Sequence, residues 1–558
     1  MEHSSRPDIE ELRRLLTKYD YTDEHASYYK YGTAGFRYFA KELPPIMVRL
    51  GVAVSLLQHH PVVGAMITAS HNTAEYNGVK LAGTDGGMMD AAGEELVVAI
   101  VNERKIEQIL QRVIAAKDNT AWSGPRMVHI GRDTRDHSPA LSCLFHKALT
   151  ASAGGGTIEL VDHGVATTPQ LHWAVQHAAA VAGYTRLPMV PSTGVVGDYY
   201  QQLVQSYKTL LATSSFQPLA HRTLTVDCAC GVGYPHLAAL IERLETSDRE
   251  LPTRFVARNS PETGPFLNEK CGSEFVQKEQ QAPRWYDGDT TSDLPYCAAF
   301  DGDADRIVFF SATPNFVLLD GDKIACLVGN FLRQQLDAAR LTAKLSLGVV
   351  QTAYANGAST TYLQQNNVDT TLAKTGVKYV HAAAHEKYDV GVYFEANGHG
   401  TVLFGDAFYA AIQHCMPQTI EQRQAVLRLQ LLAQLINQAV GDALSDVLLV
   451  DAILHLTGSS VTDWQSLYKE LPSQQSKVAV PDRHVIVTNA TETRVVQPSG
   501  LQEAIDGAVT QYLSGRAFVR PSGTEDVVRV YAEAAEGVEG LASAVQDAVQ
   551  RFCARSKI

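Results

Sequence analysis

Along the chain, short unbroken apolar runs alternate with longer segments whose apolar residues recur every three to four positions. The runs at 62–68, 127–130, 224–227, 297–300, 347–351, 390–395 and 517–519 predict strands, and another follows at 527–532. Several are continuously apolar, which suits strands covered on both faces. Helical spacing predicts helices over 92–113 and 356–365, and the Leu/Ala/Gln-rich segment 420–456 reads as helical as well. Such alternation predicts an α/β architecture with largely parallel sheets. Polar stretches at 186–196, 281–295 and 470–482 predict boundaries. There is no short-period repeat and no low-complexity tail. What recurs is the way strands end, at polar or glycine-containing turns, where α/β folds place their sites.

With 558 residues the chain predicts several domains, and 45% hydrophobic with 19% charged residues is ordinary globular composition. The net charge of −13 disfavours a nucleic-acid binder. Eight cysteines are too sparse for a disulfide scaffold at this length and predict reduced thiols in a cytoplasmic protein. The start, MEHSSRPDIEELRRLL, shows no apolar secretory core. The most apolar late segment, 447–456, is broken by Asp451 and is too short to span a bilayer, so no membrane association is expected.

The sharpest chemical signal is FDGDADR at 300–306. Asp301, Asp303 and Asp305 follow a strand at alternate positions, and three carboxylates so close repel unless a cation sits among them. Their hard oxygens suit Mg²⁺ or Ca²⁺. An EF-hand would need glycine at the sixth position and glutamate at the twelfth, where Arg306 and Ala312 stand. An arginine beside a divalent ion is a setting for a phosphoryl group. In RPSGTED (520–526), Arg520 provides a fork for phosphate oxygens, Ser522 and Thr524 add hydroxyls, and Gly523 permits a backbone nest; an ordinary Pro-Ser-Gly turn would read the same way.

YFEANGHGT (393–401) places Glu395, Asn397 and His399 after a strand, either as sugar-hydroxyl contacts or as an Asn-Gly hairpin turn. YGTAGFR (31–37) supplies Arg37 on a glycine-containing loop, and GRDTR (131–135) reads as structural ion pairs. Cys228 and Cys230 lack a second pair at zinc spacing and read as core packing. ITASHNTAEYNGVKL (67–81) brings Ser70, His71 and Lys80 close together, with nothing local to activate the serine.

Taken together, the stretches Thr68–Asn72, Asp301–Arg306, Glu395–His399 and Arg520–Glu525 resemble, in order, the serine, metal, sugar and phosphate loops of the α-D-phosphohexomutase superfamily. Glu395-Ala396-Asn397-Gly398-His399, with asparagine where glucose and mannose mutases usually carry serine, resembles the phosphoacetylglucosamine mutase branch. TTPQLHW (167–173), NEKCGSEFVQKEQ (268–280), VVQTAYANGAST (349–360) and TGVKYVH (375–381), which contains Lys378, are similar to that branch too. Two residues depart from it: Thr73 stands where proline is usual, and Cys230 where asparagine is usual.

The resemblance implies four domains around a central cleft, three similar α/β domains and a smaller C-terminal α+β domain. The expected division is 1–190 with the phosphoserine loop, 191–315 with the metal loop, 316–445 with the sugar loop and 446–558 with the phosphate loop. It implies an isomerase that interconverts N-acetylglucosamine 6-phosphate and N-acetylglucosamine 1-phosphate through phospho-Ser70 and a 1,6-bisphosphate, a step toward UDP-N-acetylglucosamine. One Mg²⁺ would be held by Ser70, Asp301, Asp303 and Asp305, and a sugar 1,6-bisphosphate would activate. Lys80, Arg306 and His71 would join the catalysis, with Lys80 a general base or acid if its pKa is depressed. Arg37, Lys378, Glu395, Asn397 and His399 would contact substrate, and Arg520, Ser522, Gly523 and Thr524 the non-reacting phosphate. The partner expected is a phosphorylated amino sugar, with neither nucleic acid nor an obligate protein partner. The rivals are a phosphoglucomutase or phosphomannomutase, a serine phosphatase, and a non-catalytic phosphosugar binder.

Overall fold

The computed structural model describes residues 7–21, 28–32, 35–118, 124–153, 158–185, 198–216, 222–246, 251–263, 266–286, 295–522 and 526–555. The chain forms two compact units, Met1–Leu318 with Gln430–Gly458, and Leu319–Leu429 with Ser459–Ile558.

The first unit contains two five-stranded sheets. In one, Val62–Ile67 is flanked by Tyr76–Ala82 on one side and Met127–Arg132 on the other, with Phe36–Phe39 and Glu159–Val165 at the edges. Every residue of Val62–Ile67 is buried. Val175 and Ala179 of the helix Thr168–Val181 pack with Val62 and Ala82, while helices Leu43–Ser55 and Ser138–Ala153 share a core with Val63, Ala65 and Ile67. Double coverage is why the run reads as continuously apolar. In the other sheet Arg222–Asp227 lies between Thr253–Arg258 and Cys297–Phe300, followed by Ile307–Ser311 and Val317–Leu319. The helix Ala443–Thr457 is buried on all sides from Ala443 to Leu456. Its Asp451 is tolerated there because Tyr207 and Thr253 donate hydroxyl bonds at 2.6 and 2.8 Å.

The second unit holds a four-stranded sheet in the order Asp369–Ala373, Leu347–Thr352, Val390–Phe394, Gly400–Phe404. It also holds an antiparallel sheet of Ser473–Ala479, Val527–Glu533 and Arg516–Pro521, beside the short pair Val487–Thr488 and Val495–Gln497. Helices Leu501–Val509 and Val538–Arg555 share one core with that sheet. Among the described residues no helix is long and apolar enough to cross a membrane.

The strands expected from apolar runs are all present, but the sheets are less parallel than the alternation predicts. Each of the three larger sheets keeps a parallel centre and adds antiparallel pairing, at 62–67 with 76–82, at 297–300 with 307–311 and at 390–394 with 400–404. Those last two hairpins carry the acidic and the Glu-Asn-Gly turns. The helix expected over 92–113 is two, Ala91–Asn102 and Ile106–Asp118, because Glu103 turns extended at φ −69°, ψ 121°. The helical segment expected over 420–456 also divides, into Ile420–Leu435 and Ala443–Thr457; Asp442 restarts it by accepting from the backbone N–H of Leu444 and Ser445.

Candidate active site

Ser70 stands just past the strand Val62–Ile67, 1% exposed, with a left-handed backbone (φ +52°). Local bonding alone does not hold that conformation. The carbonyl oxygens of Ser70 and Asn72 each accept two side-chain hydrogen bonds. The Asn268 amide reaches both at 2.9 Å, and one Arg135 nitrogen reaches them at 3.3 and 2.6 Å. Arg135 is in turn paired with Asp133, both buried. The GRDTR stretch therefore does hold ion pairs, as its residue types suggest, since Arg132 also meets Asp162 at 2.9 Å. It additionally supports the serine loop, a role with no local signature. Asn268 opens the stretch 268–280, but nothing local gives it this role: its partners lie 198 and 196 residues away.

The acidic turn between Cys297–Phe300 and Ile307–Ser311 lies against this serine. The Ser70 hydroxyl donates to Asp301 Oδ2 at 2.7 Å. Close approach depends on Gly302, whose Cβ, if present, would lie 2.5 Å from the Ser70 carbonyl oxygen. One oxygen from each of Asp301, Asp303 and Asp305 lies within 4.8 Å of the others, and all three residues are buried. Lys80, on the strand Tyr76–Ala82, donates to Asp303 Oδ2 at 2.6 Å and to Asp305 Oδ2 at 2.8 Å, and Thr168 donates to Asp303 at 2.5 Å.

Burial, then Asp303 and Asp305, push the Asp301 carboxyl well above the usual range. Burial and Asp305 push Asp303 the same way, but Lys80 and Thr168 outweigh them and its pKa falls. Burial would lower the Lys80 pKa, yet Asp303 and Asp305 win and raise it, so these contacts keep the ammonium charged rather than poised as a base. Asp303 Oδ1 is buried without a hydrogen-bond partner among the described residues. An orphaned carboxylate oxygen amid hard oxygen donors fits a divalent cation of the Mg²⁺ kind.

Around the serine stand three more groups singled out from the sequence. His71 Nδ1 is 3.4 Å from Ser70 Oγ, and its Nε2 is 3.1 Å from Glu274 Oε2. Burial, then Arg306 and Arg37, drive the His71 pKa well below its ordinary value, leaving the ring neutral. Arg37 donates to Asn72 Oδ1 at 3.0 Å. Arg306 lies 3.9 Å from Asp301, 3.8 Å from Asp305 and 3.7 Å from Glu274. Cys228 and Cys230 are buried, in keeping with core packing.

The second unit carries the other two stretches. The 395–399 segment is a hairpin turn: Gly398 N–H donates to the Glu395 carbonyl at 2.8 Å and Glu395 N–H to the His399 carbonyl at 2.9 Å. Asn397 is committed to it through Oδ1, which accepts from His399 N–H at 2.9 Å. The turn reading of the stretch is thus observed, and the turn also presents an acid, Glu395. Glu395 Oε1 accepts from Gly376 N–H at 3.2 Å, at the start of the helix Val377–Lys387 whose first turn holds Lys378.

Arg520 lies near the end of the strand Arg516–Pro521, where its Nε donates to the Tyr354 hydroxyl at 3.1 Å and NH1 faces Glu492 Oε1 at 3.5 Å. Ser522 N–H bonds the Val527 carbonyl at 2.9 Å and closes the base of that loop. Gly523 and Thr524 lie outside the described residues. Tyr354 and Glu274 lie in the stretches 349–360 and 268–280, where nothing marks them for a polar role, and no motif covers Glu492.

Comparisons with known proteins identify the family. Models of phosphoacetylglucosamine mutase AMG1 match in domain II at 190–308 and domain III at 320–459. Phosphoglucomutase/phosphomannomutase models match in the alpha/beta/alpha domain I at 50–108 and in the C-terminal domain at 477–549. The chain is 41% identical to a phosphoacetylglucosamine mutase of Oryza sativa subsp. japonica, covering 94% of each chain, and 42% identical to one of Homo sapiens, covering 93% of each. Among solved structures, Aspergillus fumigatus N-acetylphosphoglucosamine mutase in complex with GlcNAc-6P and magnesium superposes with a TM-score of 0.87 at 37% identity, covering 97% of this chain and 99% of that one. With its phosphohexomutase α/β architecture, the chain belongs to the phosphoacetylglucosamine mutase family.

Proposed function

We propose that the chain is an isomerase that reversibly interconverts N-acetylglucosamine 6-phosphate and N-acetylglucosamine 1-phosphate through phospho-Ser70 and a 1,6-bisphosphate. Family membership supports the reaction. The observation that carries the assignment of residues is the Ser70 hydroxyl donating to Asp301 beside Lys80. The C1 and C6 hydroxyls of a hexose are too far apart for direct transfer, and a resident phosphoserine removes that difficulty. Phospho-Ser70 gives its phosphoryl group to the free hydroxyl of the monophosphate; the bisphosphate turns over, and Ser70 takes back the other phosphate.

Asp301, Asp303, Asp305 and an oxygen of Ser70 would hold Mg²⁺, which when bound neutralises charge on the group in transfer. Lys80 and Arg306 add positive charge beside the same carboxylates. The Ser70 hydroxyl donates to Asp301 Oδ2 at 2.7 Å, which points the serine oxygen at the carboxylates; the proton it loses on rephosphorylation is balanced by the one taken up by the sugar oxygen that the phosphoryl group leaves. His71 and Arg37 pack beside the serine loop as further contacts. Glu395, Asn397, His399 and Lys378 would hold the sugar, and Arg520, Ser522, Gly523 and Thr524 the idle phosphate. The loops divide the work as 1–190, 191–315, 316–445 and 446–558. The scheme needs no protein or nucleic-acid partner, and we assign the enzyme to the cytoplasm.

A coupled assay with Mg²⁺ and glucose 1,6-bisphosphate tests the reading. N-acetylglucosamine 6-phosphate is expected to be preferred over glucose 6-phosphate, and Ser70→Ala to abolish turnover and label uptake. Near-normal turnover by Ser70→Ala would sink the mechanism, while preference for glucose 6-phosphate would move the chain to the phosphoglucomutase branch.

A further inference from the structure

Glu492 is a buried acid, 7% exposed, that no step above uses. It sits at the tip of the hairpin between Val487–Thr488 and Val495–Gln497 with a left-handed backbone, φ +59°. A residue with a Cβ adopts that conformation at a cost, so the surroundings must impose it. They do: Asn489 Oδ1 accepts from the backbone N–H of Thr493 at 2.9 Å and Arg494 at 3.1 Å, and Glu492 N–H bonds the Asn489 carbonyl at 3.0 Å. The tip is thereby organised to present one carboxylate.

Each oxygen of that carboxylate faces a different functional stretch. Oε1 lies 3.5 Å from Arg520 NH1, and Oε2 accepts from Thr375 N–H at 3.1 Å. The next N–H, that of Gly376, donates to Glu395 Oε1 at 3.2 Å. Two acids thus occupy adjacent amides where the helix Val377–Lys387 begins, an end whose free N–H groups and dipole favour anions. We propose that Glu492 is a positioning residue that ties Arg520 to the helix start anchoring Glu395, so that phosphate and sugar are gripped in one register. This rests on the roles assigned above to Arg520 and Glu395.

The chemistry admits few substitutes. Arg520 is held from one side by the Tyr354 hydroxyl and from another by Glu492, which fixes the direction of its guanidinium before a phosphate arrives. Glutamine offers one acceptor oxygen where two donors must be met. Aspartate keeps the charge but is one methylene too short to span both. Such a link matters for a substrate that must bind in either direction, since whichever phosphate is idle has to meet Arg520 while Glu395 meets the ring.

The test separates the two grips, with inorganic phosphate as probe for Arg520 and N-acetylglucosamine as probe for the sugar loop. Calorimetric titration of each, alone and with the other saturating, measures their coupling, which is reciprocal for binding. In the unaltered enzyme phosphate should tighten N-acetylglucosamine binding. In Glu492→Gln and Glu492→Asp that coupling factor should fall to near one, and KM for N-acetylglucosamine 6-phosphate should rise about tenfold, the loss of one charge-assisted hydrogen bond. A merely structural role would weaken both probes without changing their coupling. The inference is overturned if both variants keep the coupling, or if phosphate binds Glu492→Gln more tightly while KM falls, which would make the carboxylate only a repelling charge. Arg520→Ala is the control: if its KM is unchanged, the assignment of Arg520 fails instead.

Discussion

Asn268→Gly isolates the hold on the serine loop. Glycine suits this position because Asn268 itself has a left-handed backbone, φ +58°, so the substitution removes the amide without adding strain. Lost are the 2.9 Å bonds to the carbonyls of Ser70 and Asn72. At about 1 kcal/mol net for each, they contribute about 2 kcal/mol to loop order. Against this stands the left-handed Ser70, which costs about 1–2 kcal/mol. The two figures are of the same size, and Arg135 still bonds both carbonyls, so the loop should loosen without melting. A loss of 2 kcal/mol from the aligned loop is about thirtyfold in rate. kcat is therefore expected to fall up to about thirtyfold, with KM nearly unchanged because, Arg37 apart, the groups assigned to sugar and phosphate belong to the other compact unit. Stopped coupled assays give both constants, and labelled glucose 1,6-bisphosphate should phosphorylate Ser70 more slowly by the same factor. A kcat within twofold of the unaltered enzyme, or a KM increase at constant kcat, would refute the argument. Arg135→Met is a poorer probe, because it leaves Asp133 buried without its partner, a change that itself costs about 3–5 kcal/mol.

Gly302→Ala should be harsher: the new Cβ would lie 2.5 Å from the Ser70 carbonyl oxygen and 2.8 Å from Asn268 Nδ2, so more than a hundredfold loss of kcat is expected, with a raised Mg²⁺ requirement in activity titrations and an unchanged circular dichroism spectrum. Mg²⁺ binding should strengthen with pH, since the raised Asp301 carboxyl must lose its proton to ligate. In metal-free protein the stability linked to protonated Asp301 is full below the ordinary carboxylate range and is lost as pH rises through its elevated folded value. The rise in melting temperature on adding Mg²⁺ to chelator-stripped enzyme should accordingly be larger at pH 8 than at pH 6, and an increment independent of pH would contradict it. Asp446 is fully buried with both carboxylate oxygens unpartnered among the described residues, and burial, then Asp442, raise its pKa well above the usual range. Its contribution too is lost as pH rises, so Asp446→Asn should flatten the alkaline decline in melting temperature, and parallel curves would count against the assignment.

How far the sequence could be read depended on whether a residue's partners were nearby in the chain. The strand Val62–Ile67 declares itself because all six residues are buried, and the acidic turn because three carboxylates stand within five positions. The strand Tyr76–Ala82 does not, since Asn77 and Gly78 interrupt its apolar pattern, although it delivers Lys80 to Asp303. Asn77 is buried in a strand because its amide donates to Ser138 at 2.9 Å, a partner 61 residues on. The break at Glu103 carries neither proline nor glycine to announce it. Asn268, Glu274, Tyr354 and Glu492 matter through tertiary contacts alone, and their spacing in the chain holds no period that would reveal them.

Thr73 shows the same principle at the serine loop. Proline, usual at this place in the family the chain resembles, would stiffen the loop by fixing one φ. Here Asn72 N–H bonds the Ala69 carbonyl at 3.0 Å, and the Thr73 carbonyl accepts from Tyr76 N–H at 3.2 Å. The intervening carbonyls of Ser70 and Asn72 are taken by Asn268 and Arg135. Five of these six bonds fix residues 69–72 from outside position 73, so the conformation of Ser70 does not depend on a ring there. Proline would mainly narrow the unfolded chain, an effect of about 0.4–1 kcal/mol on stability, whereas the orientation of Ser70 toward Asp301 is set by side chains 65 and 198 residues away.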